Sequence, residues 1–134
     1  MKLINRDTDY SFKVLIYIVN RSPDLVSVPE LNKALGIPGP FLRKILQILS
    51  KEGILNSLKG RNGGFQLALP PEKVTLKLLM QVFQGPVKLN DCLFRKHICQ
   101  DVTSCPLKKK LDGLEDRMVS ELQSITLASL LEDV

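Results

Sequence analysis

The sequence predicts a mainly α-helical fold with one small β-hairpin and a long C-terminal helix. Apolar residues recur at intervals of three and four along several segments, and a glycine-rich tip separates two short apolar runs around residues 59–64. An apolar stripe of near-heptad spacing occupies much of the last third of the chain. Two helices joined by a glycine-containing turn and followed by such a hairpin form a winged helix-turn-helix.

Three helices are predicted in the first half. The first spans residues 8–20, where Thr8 or Asp9 can act as the N-cap. Its apolar residues form two faces, which indicates that the helix lies between its own domain and a partner chain. The second helix covers 27–35, with Ser27 as its cap and three residues on its buried side: Leu31, Ala34 and Leu35. The third covers 40–51 and buries a stripe made of Leu42, Ile45, Leu46 and Leu49.

The hairpin is predicted from two short strands, 54–58 and 65–69, around a tip at residues 59–64. The tip lacks the Gly-Lys-Ser/Thr ending of a nucleotide-binding loop, so a contact with DNA phosphates fits it better. Pro70-Pro71 then marks a boundary. We therefore predict a winged helix-turn-helix DNA-binding domain at 1–70, followed by a cysteine loop and dimerisation helix at 71–134.

The second half is predicted to contain a helix at 75–83, a loop at 87–106 and a long helix at 107–124. The apolar stripe of the long helix consists of Leu107, Leu111, Leu114, Met118, Leu122 and Ile125. A stripe this long favours cover by a second copy of the chain, and hence a homodimer; the alternative is a single core helix. The leucines of the tail at 126–134 are expected to dock back on the body.

Charge and composition narrow the function classes. Residues 1–69 hold ten Lys/Arg and five Asp/Glu, whereas residues 70–134 hold nine of each, so the excess positive charge lies in the first half. This asymmetry favours a polyanionic partner. No apolar run approaches the ~18–20 residues of a membrane span, and the charged start is unlike a signal peptide. We expect a soluble, cytoplasmic protein without a membrane partner.

The predicted DNA contacts lie on the third helix and at the hairpin tip. The third helix is expected to enter a major groove, where Arg43 and Lys44 reach base edges or backbone. Phe41 either touches a thymine methyl group or packs internally. The tip contributes Lys59, Arg61 and Asn62. The alternative is a basic face that only meets solvent.

Three cysteines occur within one short stretch, at Cys92, Cys99 and Cys105, with gaps of six and five residues. An odd number in an intracellular chain argues against a disulfide framework. The gaps differ from the CxxC spacing of structural zinc sites and suit a bulkier iron–sulfur cluster, although zinc held by three cysteines and His97 is a rival. The sequence contains one histidine and no Ser/His/Asp or HExxH pattern, so nothing indicates an enzyme.

Taken together, these motifs resemble the Rrf-type (IscR/NsrR) family of bacterial iron–sulfur winged-helix transcription regulators, over nearly the full length. The resemblance is carried by Thr8-Asp9-Tyr10, Gly36-Ile37, the tip Gly60-Arg61-Asn62-Gly63-Gly64-Phe65, Gln84-Gly85-Pro86 and the cysteine trio, in this order. It implies a homodimer that binds double-stranded DNA at a palindromic operator, as a repressor, and holds one cluster per subunit.

The resemblance also implies the ligands. Cys92, Cys99 and Cys105 match the three cluster cysteines of the family. Lys108 stands where IscR-like members carry a histidine ligand, whereas the Thr-Asp-Tyr motif is similar to NsrR-like members, whose aspartate binds the cluster of the other subunit. This role would fall on Asp9; the alternative is a carboxylate that stabilises a helix N-terminus by ~0.3–1 kcal/mol. The first cysteine gap is slightly longer than is usual in the family.

The nearest subgroup implies a 4Fe–4S cluster and nitric-oxide sensing, with 2Fe–2S as an alternative. The cluster would order the loop between the long helix and the DNA-binding unit. Loss of the cluster would then change the spacing between the third helices, the recognition helices, of the two subunits. Two rivals remain at the level of sequence. One is a small iron–sulfur carrier protein, and the other is a winged helix without a cluster, in which the thiols form a redox switch.

Overall fold

The computed structural model describes residues 3–89 and 105–132, and within these ranges it contains six α-helices and one two-stranded hairpin. The helices are α1 (Arg6–Arg21), α2 (Val28–Leu35), α3 (Gly39–Lys51), α4 (Leu76–Gln84), α5 (Pro106–Ser124) and α6 (Leu127–Glu132). The strands are β1 (Leu55–Leu58) and β2 (Gly64–Leu67). The predicted fold class, a mainly α winged helix-turn-helix with a long C-terminal helix, is confirmed.

Helix α1 begins two residues earlier than predicted, and its predicted cap is wrong. The N-cap is Asn5, whose side chain accepts a hydrogen bond from the Thr8 backbone N–H at 2.8 Å. Thr8 lies inside the helix and is fully buried, and Asp9 follows it on the exposed side. Asparagine is as good an N-cap as threonine or aspartate, so residue type alone does not select among the three.

The helix-turn-helix depends on the turn between α2 and α3. Ser27 caps α2 as predicted, and Gly36 ends it with a φ of 68°, a left-handed conformation that favours glycine. The Asn32 side chain donates to the Ile37 carbonyl at 2.7 Å and closes the turn. One predicted core residue is wrong: Ala34 is exposed, because α2 is short and only Leu31 is fully buried on it.

The hairpin pairs Leu55 with Leu67 and Leu58 with Gly64 in antiparallel register. Val26, in the segment between α1 and α2, forms an isolated antiparallel bridge with Phe65 of β2 through two backbone hydrogen bonds, at 3.0 and 2.8 Å. This bridge attaches the hairpin, which is the wing of the fold, to the helical body. The predicted stripe of α3 is confirmed, since Leu42, Ile45, Leu46 and Leu49 are all fully buried beneath the wing and α1.

The second half packs on the first through a shared core. Leu79 and Met80 of α4, Leu122 of α5 and Leu127 of α6 lie in the same buried cluster as the apolar residues of α1 and α3. The tail docks as predicted, and part of it forms α6, attached by a hydrogen bond from the Leu127 N–H to the Val74 carbonyl at 2.8 Å. The division into units at 1–70 and 71–134 stays a prediction. Among the described helices, none has the length and apolar character needed to cross a membrane.

Candidate nucleic-acid interface and cysteine segment

The outer face of α3 is basic and exposed. Arg43, Lys44 and Gln47 are solvent-accessible, while the residues between them form the buried stripe described above. This alternation follows from the helical period, which turns the apolar residues to the core and the cationic residues outward. Phe41, at the exposed start of the helix, remains 36% accessible although it is a large apolar side chain. The structure thus places three of the predicted contact residues on one accessible helix face.

The tip of the wing carries the other three predicted contact residues. Lys59, Arg61 and Asn62 are all exposed. In the part of the chain that the structure describes, neither Lys59 nor Arg61 makes an ion pair within 4.0 Å, and the same holds for Arg43 on α3. Cations that are not neutralised internally are available to an external anion such as a DNA phosphate.

Two residues that the sequence reasoning missed, Arg6 and Asp7, lie against the start of α3. The Arg6 guanidinium carbon lies 4.2 Å from the centroid of the Phe41 ring, and Asp7 Oδ2 lies 3.6 Å from Lys44 Nζ. The first turn of α1 therefore borders the predicted DNA-contacting face. Phe41 packs against Arg6 and also meets solvent, and its contact with a thymine methyl group stays a prediction.

A second polar contact fastens α1 to α2. The Tyr17 hydroxyl donates to Glu30 Oε2 at 2.8 Å, and Arg21 Nε lies 3.1 Å from the same oxygen. The hydrogen bond to Glu30 raises the pKa of Tyr17 above its usual value. Through these two contacts Glu30 connects α2, the first helix of the turn motif, to α1.

Asp9, the predicted fourth ligand, lies on the exposed side of α1 and forms an ion pair with Lys13. Its Oδ2 atom is 2.8 Å from Lys13 Nζ, and about half of each side chain is exposed. The hydrogen bond that Lys13 donates to Asp9 raises the pKa of this lysine above its usual value. Exposed pairs of this kind contribute little to stability. The carboxylate can therefore exchange Lys13 for another cation at small cost.

Cys105 is the predicted cysteine ligand that lies within the described residues. It is half-buried, carries a free thiol and occupies the N-cap of α5, where its side chain makes no capping hydrogen bond. Cys92, Cys99, the rival ligand His97 and most of the predicted loop lie outside the described residues. Within 3–89 and 105–132 there is no group of three or more residues that could hold a metal ion. Lys108 pairs with Asp112 at 2.9 Å.

The chain enters the cysteine segment through two anchored points. Gln84 ends α4, and its side-chain oxygen accepts hydrogen bonds from the Asn5 N–H and the Thr8 hydroxyl, both at 2.8 Å. Five residues later, the Leu89 N–H donates to Glu115 of α5 at 3.0 Å. The segment that carries the cysteines is thus attached at its start both to the N-terminal turn of α1 and to α5.

Comparison with known proteins identifies the chain. A family model described as Rrf2, iron-dependent transcriptional regulator, matches residues 4–133, which is nearly the whole sequence. The chain belongs to the Rrf2 family. The Rrf-type resemblance read from the motifs is confirmed at this level, whereas membership of the NsrR-like subgroup stays a prediction.

Individual relatives agree with this assignment. A protein from Aquifex aeolicus described as an HTH-type transcriptional regulator is 32% identical over 124 residues, covering 91% of this Rrf2 chain and 86% of its own length. Among solved structures, CymR of B. subtilis, the global cysteine regulator, superposes with a TM-score of 0.82 at 20% identity, covering 100% of this chain and 99% of its own. IscR of T. potens gives a TM-score of 0.76 at 22% identity, covering 99% and 88%.

This Rrf2 protein is therefore a DNA-binding transcriptional regulator and not an enzyme. The two structural likenesses, at their low identities, establish the fold alone. Arg6 and Asp7 precede the apolar residues of α1, and no motif of the sequence indicated that they pack on α3. Only the packing of α1 across α3 brings them together.

Proposed function

We propose that this Rrf2 protein is a cytoplasmic homodimer that binds a palindromic operator as a repressor and adjusts its DNA affinity through an iron–sulfur cluster. The proposed DNA contacts rest on one observation: Arg43, Lys59 and Arg61 are exposed and have no ion-pair partner in the described part of the chain. Lys44, Phe41 and Asn62 lie on the same helix face and wing tip. Cationic side chains on a recognition helix and a wing supply both groove and phosphate contacts.

The homodimer is supported by the apolar stripe of α5. Leu107 and Leu114 are 66% and 47% exposed, while Leu111 between them and Met118 after them are partly buried. Leu107 and Leu114 lie one heptad, about two turns, apart on α5, and exposed leucines at this spacing indicate a contact surface. The corresponding helix of a second protomer is the proposed cover, which would place two recognition helices in one assembly and account for a palindromic site.

The cluster is proposed to be held by Cys92, Cys99 and Cys105, with Asp9 as a fourth ligand across the dimer. Two observations support this donor set: the Cys105 thiol is free and makes no capping hydrogen bond, and within the described residues the ion-pair partner of the Asp9 carboxylate is the exposed Lys13. When bound, such a cluster supplies a centre that responds to oxidants and nitric oxide. The 4Fe–4S form is favoured over 2Fe–2S on the NsrR-like motif Thr8-Asp9-Tyr10.

The chain's own residues would transmit the state of the cysteine segment. Gln84 binds the cap of α1, and the next residues after Asn5 are Arg6 and Asp7, which contact α3. A change in the cysteine segment that moves the end of α4 would therefore also move the first turn of α1. Because that turn borders α3, the position of the recognition helix would follow.

Binding to duplex DNA tests the proposed contacts. Arg61→Ala should weaken binding about equally on all sequences and lower the salt slope by about 1 per protomer, because it removes a phosphate contact. Arg43→Ala should weaken specific binding by about 1–3 kcal/mol if the side chain reads a base. Fluorescence anisotropy at several salt concentrations measures both effects. If both variants bind like the parent, the docking model is wrong.

Anaerobic purification followed by absorption spectroscopy and by iron, sulfide and zinc analysis tests the cofactor. We expect iron and sulfide in the parent protein and their loss in Cys105→Ser, while Asp9→Ala should retain the three cysteine ligands and hold the cluster less firmly. Stoichiometric zinc in a colourless protein would instead favour the three-cysteine site with His97. A metal-free protein whose DNA binding follows thiol oxidation would favour the redox switch, and a clustered protein with no affinity for DNA would favour the carrier.

A further inference from the structure

The start of α1 brings a third cationic group to the predicted DNA-contacting face. The Arg6 side chain is 57% exposed and lies over the Phe41 ring, at the first turn of α3. Lys44, one turn further along α3, remains 63% exposed. Arg6 precedes the helix-turn-helix by more than twenty residues in sequence, yet its charge adds to the same surface as that of Lys44.

The aromatic contact limits the positions that the guanidinium can adopt. A guanidinium stacked on an aromatic face within about 6 Å of its centroid gains only about 0.5–1 kcal/mol at an exposed site. Within the described residues, the ion-pair contact of this guanidinium is Nε with Asp7 Oδ1 at 3.8 Å, and its other N–H groups can pair with a phosphate. The contact with Phe41 thus keeps the Arg6 charge beside the start of α3, where an anion can approach it from solvent.

Asp7 acts in the opposite direction. Its carboxylate lies 3.6 Å from Lys44 Nζ and 3.8 Å from Arg6 Nε, and only 22% of the aspartate side chain is exposed. It is the acidic group that neutralises the cations at this end of α3 among the described ion pairs. An approaching phosphate must compete with this carboxylate for Lys44, and the negative charge of the carboxylate also repels the phosphate.

We propose that Arg6 is a DNA-phosphate contact outside the helix-turn-helix, and that Asp7 is an internal competitor that lowers the affinity for DNA. This inference rests on the proposed function, since it requires that α3 faces the duplex. The alternative is that Arg6, Asp7 and Lys44 form a clip that only holds α1 on α3. The two hypotheses predict opposite effects of removing Asp7 on DNA affinity. If Asp7 competes with phosphate, its removal strengthens binding; if the three residues only hold α1 on α3, removal of any one of them weakens binding.

The test compares Arg6→Ala, Arg6→Lys and Asp7→Asn in the full-length protein, with anisotropy on a mixed-sequence duplex of about 40 base pairs. Phosphate contacts are independent of sequence, so the operator is not needed. Arg6→Ala should lower the salt slope by about 0.9 per protomer bound, so that its affinity deficit shrinks three- to fourfold between about 50 and 200 mM salt. Arg6→Lys should keep the slope. Asp7→Asn should bind more tightly than the parent, with a steeper slope.

Lys51→Ala is the matched control, because it removes one positive charge from an exposed position at the far end of α3. Thermal unfolding by circular dichroism verifies that each variant is folded. If Arg6→Ala has the same DNA affinity and salt slope as Lys51→Ala while Arg61→Ala binds DNA more weakly, Arg6 does not contact a phosphate and the proposed function stands. If Asp7→Asn weakens DNA binding as Arg6→Ala does, Asp7 helps to hold α1 on α3 and does not compete with DNA phosphates. A parent without salt-dependent binding overturns both proposals.

Discussion

Gly64 occupies the position where the wing approaches the segment between α1 and α2. A Cβ atom at this residue would lie 2.7 Å from the Val26 carbonyl oxygen and 2.9 Å from its carbon, both of which are backbone atoms. Backbone at this point cannot retreat without breaking the two hydrogen bonds between Val26 and Phe65. The glycine-rich tip thus contains a packing requirement in addition to the turn that the sequence indicated.

We therefore expect Gly64→Ala to lower the free energy of unfolding by about 1–3 kcal/mol, the usual cost of overpacking. Urea denaturation followed by circular dichroism measures it. Gly113→Ala is the matched control, because a Cβ there meets nothing within 4 Å and Gly113 lies inside α5. It should raise the free energy of unfolding by about 0.5–1 kcal/mol. Equal effects of the two substitutions would contradict the close approach.

Arg6 shows at the residue scale what the sequence could not supply. The predicted contacts on α3 and the wing follow from local patterns, namely a helical period and a glycine-rich turn. The partnership of Arg6 with Phe41 and of Asp7 with Lys44 joins residues more than thirty positions apart. Such pairs depend on how two helices cross, which no local pattern of a single sequence specifies.

At the scale of elements, the helices and the hairpin could be predicted because each carries its own periodicity, cap or turn. The boundaries were less certain where several residues could serve as caps, as for Asn5, Thr8 and Asp9 at α1. Two features depend on tertiary pairing and were missed: the bridge between Val26 and Phe65, and the helical form of the tail, whose Leu127 is fully buried in the shared core.

Helix α5 is the element on which the proposed dimer depends. Leu114→Glu should shift the protein from dimer to monomer, because a carboxylate in a buried apolar seam would be costly, whereas in an isolated protomer Leu114 is 47% exposed and the change is mild. Sedimentation equilibrium measures the mass. Ser120→Glu adds the same charge to an exposed position on the other side of α5 and should leave the dimer intact. A parent protein that is monomeric, or a dimer unaffected by Leu114→Glu, would contradict the proposed interface.

At the scale of the whole molecule, the first turn of α1 connects the two ends of the proposed switch. Gln84, which precedes the cysteine segment, binds Asn5 and Thr8, while Arg6 and Asp7 reach α3. The sequence alone placed the cysteines and the recognition helix in separate halves, with only the resemblance to a family linking them. The shared core and this turn supply a physical route between them.

The central claim is that the state of the cysteine segment sets the affinity for DNA. The most direct measurement is the dissociation constant of the anaerobically purified protein, before and after removal of iron by a chelator, on duplexes selected from a random library by each form. We expect bound iron and sulfide and a change in DNA affinity of several- to a hundredfold, the range that a coupling of about 1–3 kcal/mol produces. The same affinity in both forms, or a protein purified without iron and sulfide, would contradict it.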